Sequence, residues 1–212
     1  MPFGRIEVQC RQLLERIERW AGSHRYSADS SGIRNKDGTA MNFGDCRSMK
    51  VIMVPHCALN QNARVAGAAE HPAAVKDLIL GLMDRNLGIT QMPCPELLIL
   101  GLNRGKIPIR FELDKQEGRT QCRFLAKQVA DQIEQYRDCG IKVLGILGKN
   151  GSLACGVEET WSHGVVPGSG VFLEELQAEL RERNIRTKMT GIRDNEPNAA
   201  IEIVESWLYS ET

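Results

Sequence analysis

The stretch Val51–Arg64, VIMVPHCALNQNAR, constrains this chain more than any other. Val51, Ile52, Met53 and Val54 are apolar and mostly β-branched, and Pro55 stops the run. A short, unbroken apolar run of this kind is a strand buried on both faces, as in parallel sheets. Cys57 follows almost at once, in a loop of small polar side chains. The arrangement recurs at ITQMPC, Ile89–Cys94, and at KVLGILGKNGSLAC, Lys142–Cys155. If the three strands are parallel neighbours, Cys57, Cys94 and Cys155 emerge at one edge of one sheet.

Helical spacing fills the intervals between them. Val75, Leu78, Ile79, Leu82 and Met83 form one stripe, with Pro72 expected at the first helical position. Ile109–Leu113 reads as a short extended piece. Thr120–Cys139 is a long amphipathic helix carrying Leu125, Val129, Ile133 and Tyr136, closed by Gly140 as its C′ residue. Cys122 on its stripe and Cys139 at its end are expected to pack. Val166–Gly170 reads as a glycine-flanked loop before a helix with Phe172, Leu176 and Leu180, which Asn184 ends. Ile185–Thr190 reads as a fourth strand, and Pro197 opens a last helix with Ile201, Val204 and Trp207.

Strand alternating with helix predicts an α/β fold, a Rossmann-like three-layer sandwich around a parallel sheet of four or slightly more strands. Ligands in open sheets of this class sit beyond the carboxyl ends of the strands. Ahead of this domain, taken as residues 50–212, Arg5–Ala21 has helical spacing and Gly22–Met49 reads as a long polar arm. Arms of that length serve as lids or interface segments, so residues 1–49, an N-terminal helix and extended arm, are read as a lid, a dimer arm or decoration, with an oligomer possible through the arm.

Charge and cysteine usage narrow the function. Lys plus Arg number 27 and Asp plus Glu 27, a formal net charge of zero. A dedicated nucleic-acid binder carries a basic excess, so a transfer RNA bearing a thiolated base is kept only as a minor alternative, resting on Arg104, Lys106 and Arg110. No apolar run approaches the ~20 residues of a membrane span, and MPFGRIEVQC lacks a secretory core. A cytoplasmic protein with no membrane partner is expected. In a reducing compartment its seven cysteines would be free, metal-bound or catalytic rather than paired.

Three soft thiolates from separate loops suit zinc or an iron–sulfur cluster, and no close Cys-x-x-Cys pair marks a zinc ribbon. Three ligands leave one coordination position open for chemistry. Closure of that position by His56 or His163 would instead give a structural or redox-sensing module.

Four motifs carry a resemblance. Cys57, Arg64 and Gly67 keep one register; Cys94-Pro95-Glu96 is followed by Gly101-Leu102; Ser152-Leu153-Ala154-Cys155-Gly156 comes next; and a proline–glycine-led helix occupies Val166–Leu176. In this order, over roughly residues 50–192, they resemble the thiouracil desulfidase family. That resemblance implies a 4Fe–4S cluster held by Cys57, Cys94 and Cys155 with one open iron, and substrate chemistry at Glu96 and Ser152. It implies a small thiolated substrate and release of its sulfur without net electron transfer. A thiophilic iron suits a thiocarbonyl sulfur, and a carboxylate beside it can exchange protons with water. Asn60, Arg64 and Ser169 are candidate substrate-binding residues, with turn capping the competing role for Asn60 and helix capping for Ser169. Leu153, Ala154, Val65 and Asn60 depart from the family's usual residues, so the pocket walls differ and the expected substrate is given only as a thiolated pyrimidine or related thioamide.

Overall fold

The computed structural model of the chain describes residues 45–210. The expected helix at Arg5–Ala21 and most of the arm, with any contact between copies through it, lie outside the described residues. Among the described residues, no helix is long and apolar enough to cross a membrane.

The elements run β1 (Lys50–Pro55), α1 (His56–Leu59), α2 (Lys76–Asp84), β2 (Gly88–Met92), α3 (Pro95–Leu100), α4 (Ile109–Asp114), α5 (Gln116–Asp138) and β3 (Lys142–Lys149). They continue with β4 (Glu159–Trp161), β5 (Val165–Pro167), α6 (Val171–Glu182), β6 (Met189–Ile192) and α7 (Pro197–Tyr209). Four strands form the parallel sheet in the order β2-β1-β3-β6. β4 and β5 pair antiparallel as a separate hairpin.

Ile52, Met53 and Val54 of β1 are wholly buried, because the sheet is covered on both sides. Met53, Met92 and Ile146 join the layer formed with α5 and α6, while Ile52, Val54 and Leu147 join the layer with α2 and α7. Each fully buried aliphatic side chain of this kind contributes roughly 1.5–3 kcal/mol. The result is the expected three-layer α/β sandwich. Chain winding reverses between β1 and β3, the switch point beside which open sheets bind ligands.

Several boundaries differ from the reading of the sequence. Residues Ile109–Asp114 are helical, not extended: Leu113 is buried whereas Phe111 is 63% exposed, so the i, i+4 pair Ile109 and Leu113 decides the conformation over the short alternation. Pro72 does not open α2, which begins at Lys76. The segment before it is tied to the Cys57 loop by Gln61 N–H to Ala73 O (2.6 Å) and Val75 N–H to Ala58 O (2.9 Å), bonds that a helix there would break. The fourth strand lies at Met189–Ile192, and Val165–Pro167 belongs to the hairpin rather than to a plain loop. Gly140 and Asn184 take positive φ at the helix ends, 71° and 55°, as their C′ roles require.

Two glycines press the Cys155 loop onto the sheet. A Cβ at Gly148 would stand 2.5 Å from the Cys155 carbonyl oxygen, and one at Gly170 would land on the Ala154 carbonyl group. We therefore expect Gly170→Ala to lower unfolding free energy in urea by about 1–3 kcal/mol, the usual cost of overpacking; an unchanged midpoint would show that the loop is not held by this contact.

Candidate metal and catalytic site

The three cysteines reach one cavity from three strand ends. The cavity, about 510 Å³, is lined by Cys57, Cys94 and Cys155 together with Glu96, Ser152 and Arg64. Its size is ordinary for a small-molecule site.

Cys57 follows β1 within the single turn α1. Gln61, itself buried, donates from Nε2 to the Cys57 carbonyl (2.8 Å) and to Asp194 Oδ2 (3.1 Å). Cys94 is the N-cap of α3, and its Sγ accepts the Leu97 N–H at 3.4 Å. Pro95 takes the first helical position, where its missing N–H costs nothing, and this sets Glu96 on the first turn. Cys155 ends the loop after β3. Ser152 Oγ accepts the N–H groups of Ala154 (3.2 Å) and Cys155 (3.0 Å), and Lys149 N–H donates to the Cys155 carbonyl (2.7 Å). Asn150 Oδ1 gathers the N–H groups of Val157, Glu158 and Glu159 behind it. Each thiol is thus fixed by a short-range hydrogen-bond pattern.

Burial dominates the electrostatics of the thiols. It pushes Cys57 up to about 11, against the pull of Arg64 and Lys149 and with the charges of Asp194 and Cys94 adding to the rise. Cys94 is raised by burial, which the Leu97 N–H opposes. Cys155 is raised well above the ordinary thiol value by burial and then by Cys94 and Cys57. The thiols feel one another's charge, and without a metal they are protonated at neutral pH. A metal displaces those protons on binding. Among the described residues, no three His, Cys, Asp or Glu side chains are arranged to hold a single metal ion.

Behind the thiols stand charged groups, of which the sequence reading passed over Asp194, Lys149 and Glu70. Asp194 is buried and takes Lys149 Nζ at 3.0 Å and Arg64 Nη1 at 3.6 Å. Lys149 Nζ also lies 3.7 Å from Glu70. Arg104, only 2% exposed, donates from Nε to Glu96 Oε2 (3.0 Å), from Nη1 to Gly101 O (2.9 Å) and from Nη2 to Ala63 O (2.6 Å). It therefore locks the Cys94 helix to the Cys57 loop. The signal was available: Lys149 and Asp194 both close apolar strands at the edge where the cysteines emerge.

Not every expected site residue joins the cavity. Asn60 is exposed, and its Oδ1 accepts the Asn62 N–H at 3.1 Å, so the side chain caps a turn. Ser169 Oγ donates to Val157 O at 2.8 Å, and Gly170 is the N-cap of α6; neither Asn60 nor Ser169 lines the cavity. His56 lines it, and His163 is exposed on the hairpin turn. Two members of the basic run are paired, Arg104 with Glu96 and Arg110 with Glu174 and Asp114.

Over 151 residues the chain is 29% identical to the uncharacterized protein MJ0003 of Methanocaldococcus jannaschii, covering 71% of this chain and 90% of the relative. No family model matches the chain. No solved structure matches it.

Because Arg104 satisfies a carboxylate and two carbonyls in a buried setting, Arg104→Met is expected to cost about 3–5 kcal/mol in urea unfolding. Arg104→Lys should recover less than half of that, since an ammonium lacks the planar fork. Full recovery by lysine would show that charge alone is needed.

Proposed function

We propose that this protein is a non-redox desulfidase that replaces the sulfur of a thiolated pyrimidine or related thioamide with oxygen from water and releases sulfide. The observation that carries this reading is that three strand-end thiols share one cavity with Glu96 and Ser152. The resemblance of the same residues to the thiouracil desulfidase family supports it.

The donor set fits a 4Fe–4S cluster held by Cys57, Cys94 and Cys155. The three sulfur donors are soft, and Arg64 and Lys149 lie close enough to Cys57 to favour its thiolate. Three soft thiolates with no close Cys-x-x-Cys pair suit a cluster better than a zinc ribbon. Held by these three residues, the cluster would supply Lewis acidity and a thiophilic metal toward a thiocarbonyl.

The remaining work falls to the chain's own groups. Glu96, oriented by its ion pair with Arg104, takes a proton from the water that adds to the ring carbon and later returns one. Ser152 Oγ already accepts two backbone N–H groups, so its own hydrogen is left to donate to the substrate's ring nitrogen or carbonyl. Arg64 and Lys149 hold their charge near the thiolates against Asp194.

One observation favours a second reading, a non-catalytic cluster-bearing module. His56 lines the cavity, and its Nε2 is buried without a hydrogen-bond partner, so it is the group placed to close the fourth position. Counting protein ligands on the iron separates the readings.

The test is sulfide release. Anaerobically prepared protein should bleach the near-ultraviolet thiocarbonyl band of a thiolated pyrimidine and release one sulfide for each band lost. Glu96→Gln should lower the rate by about 100-fold or more while leaving bound iron unchanged. Undiminished turnover in that variant would remove Glu96 from the mechanism.

A further inference from the structure

Asp194 is a carboxylate without access to water. It sits just past β6 with its side chain wholly buried. An isolated carboxylate at that depth is costly to fold around, and this one is surrounded instead. Gln61 Nε2 donates to Oδ2 at 3.1 Å, Arg64 Nη1 stands 3.6 Å from the same oxygen, and Lys149 Nζ lies 3.0 Å from Oδ1. His71 Nε2 meets the Asp194 carbonyl at 3.0 Å.

The two oxygens are used differently. Oδ1 accepts no aligned hydrogen bond, so its contact with Lys149 is an ion pair held by charge alone. The Lys149 side chain is itself buried and lines the thiol cavity. Glu70, 3.7 Å from the same ammonium, is nearly half exposed and screened by water. Asp194 is therefore the desolvated counter-charge of Lys149.

The charges around the thiols do not cancel. Arg64, Lys149 and Arg104 face the two mostly buried carboxylates Asp194 and Glu96. The surplus is cationic, as an anionic cluster on three thiolates requires. Both signs reach the thiols. Burial acts most on Cys57; beyond it, Arg64 and Lys149 favour the thiolate, whereas Asp194 and Cys94 oppose it.

We propose that Asp194 and Lys149 are opposed positioning residues that set the reduction potential of the cluster, Asp194 lowering it and Lys149 raising it. This rests on the cluster reading above and not on the desulfidase chemistry. A cluster that accepts an electron becomes more negative, so a fixed anion resists the step and a fixed cation favours it. Non-redox chemistry needs an iron that stays oxidised and Lewis-acidic. A carboxylate locked in a desolvated setting serves that need.

The test uses the full chain, isolated without oxygen and titrated with dithionite, which supplies the electron, in the presence of redox mediators. The reduced cluster is read by its paramagnetic resonance signal, and bound iron and sulfide release from 2-thiouracil are assayed in the same samples. Asp194→Asn keeps an oxygen to accept from Gln61 but loses the charge. It should raise the reduced-to-oxidised ratio at fixed poise by about tenfold, a shift of about 59 mV upward for a one-electron couple. Lys149→Met should lower the ratio by about as much. The double variant, which removes both charges together, should return within about threefold of the wild type.

Shifts in the same direction, or none, overturn the proposal, because a merely structural role has no reason to give opposite signs. Where a single variant holds no iron, Lys149→Arg and the double variant decide: both should load fully and titrate like the wild type, and failure of either overturns the proposal. Opposite shifts in protein that releases no sulfide would support it and remove the desulfidase reading. Unshifted potentials in protein that does release sulfide would do the reverse, and a wild type without iron overturns both.

Discussion

A parallel sheet has a direction: every strand delivers its carboxyl end to the same edge, and the chain must leave there by a loop. In this protein three of those loops each carry a cysteine within a few residues of the strand end. Sequence separations that would otherwise make a three-thiol site improbable are thereby removed by topology. Everything proposed about function depends on that polarity, because β2, β1 and β3 are adjacent and parallel.

Bringing three thiols into a buried rim has an electrostatic cost, and the surrounding residues are arranged to offset it. Burial keeps the thiols protonated, and their negative forms repel one another. Lys149 and Arg64 face them, and both are held by the buried Asp194. A buried ion network of this kind adds little stability relative to apolar packing, yet removing one partner is strongly destabilising. Its value here is positional: Asp194 follows β6, Lys149 ends β3, and Gln61 carries the connection to Cys57. Arg104 performs the matching task between the Cys94 helix and Ala63.

Much of this was legible in the sequence, and the exceptions have physical reasons. The apolar runs ending at Pro55, Met92 and Leu147 announced buried strands, the third of which extends to Lys149, and Gly140 and Pro197 marked helix boundaries. Residues 109–113 alternate like a strand, but only tertiary burial of Leu113 beside a solvent-facing Phe111 reveals the helix. Pro72 failed as a helix start because long-range backbone bonds claim the segment after it. The β4–β5 hairpin was missed since its strands have three residues each and its turn uses His163 and Gly164 at positive φ rather than an Asn-Gly pair. Asn60 and Ser169 were polar residues near the right edge whose side chains are consumed locally. Lys149 and Asp194 are far apart in sequence, and only the pairing of β3 with β6 brings their charges together beside the thiols.

The most direct measurement is the iron and acid-labile sulfide content of the full chain isolated without oxygen, alongside Cys57→Ala, Cys94→Ala and Cys155→Ala. The account predicts about four irons and four sulfides per chain, with each alanine variant losing most of both. Wild-type protein without iron or sulfide, or alanine variants that keep the full complement, would contradict it.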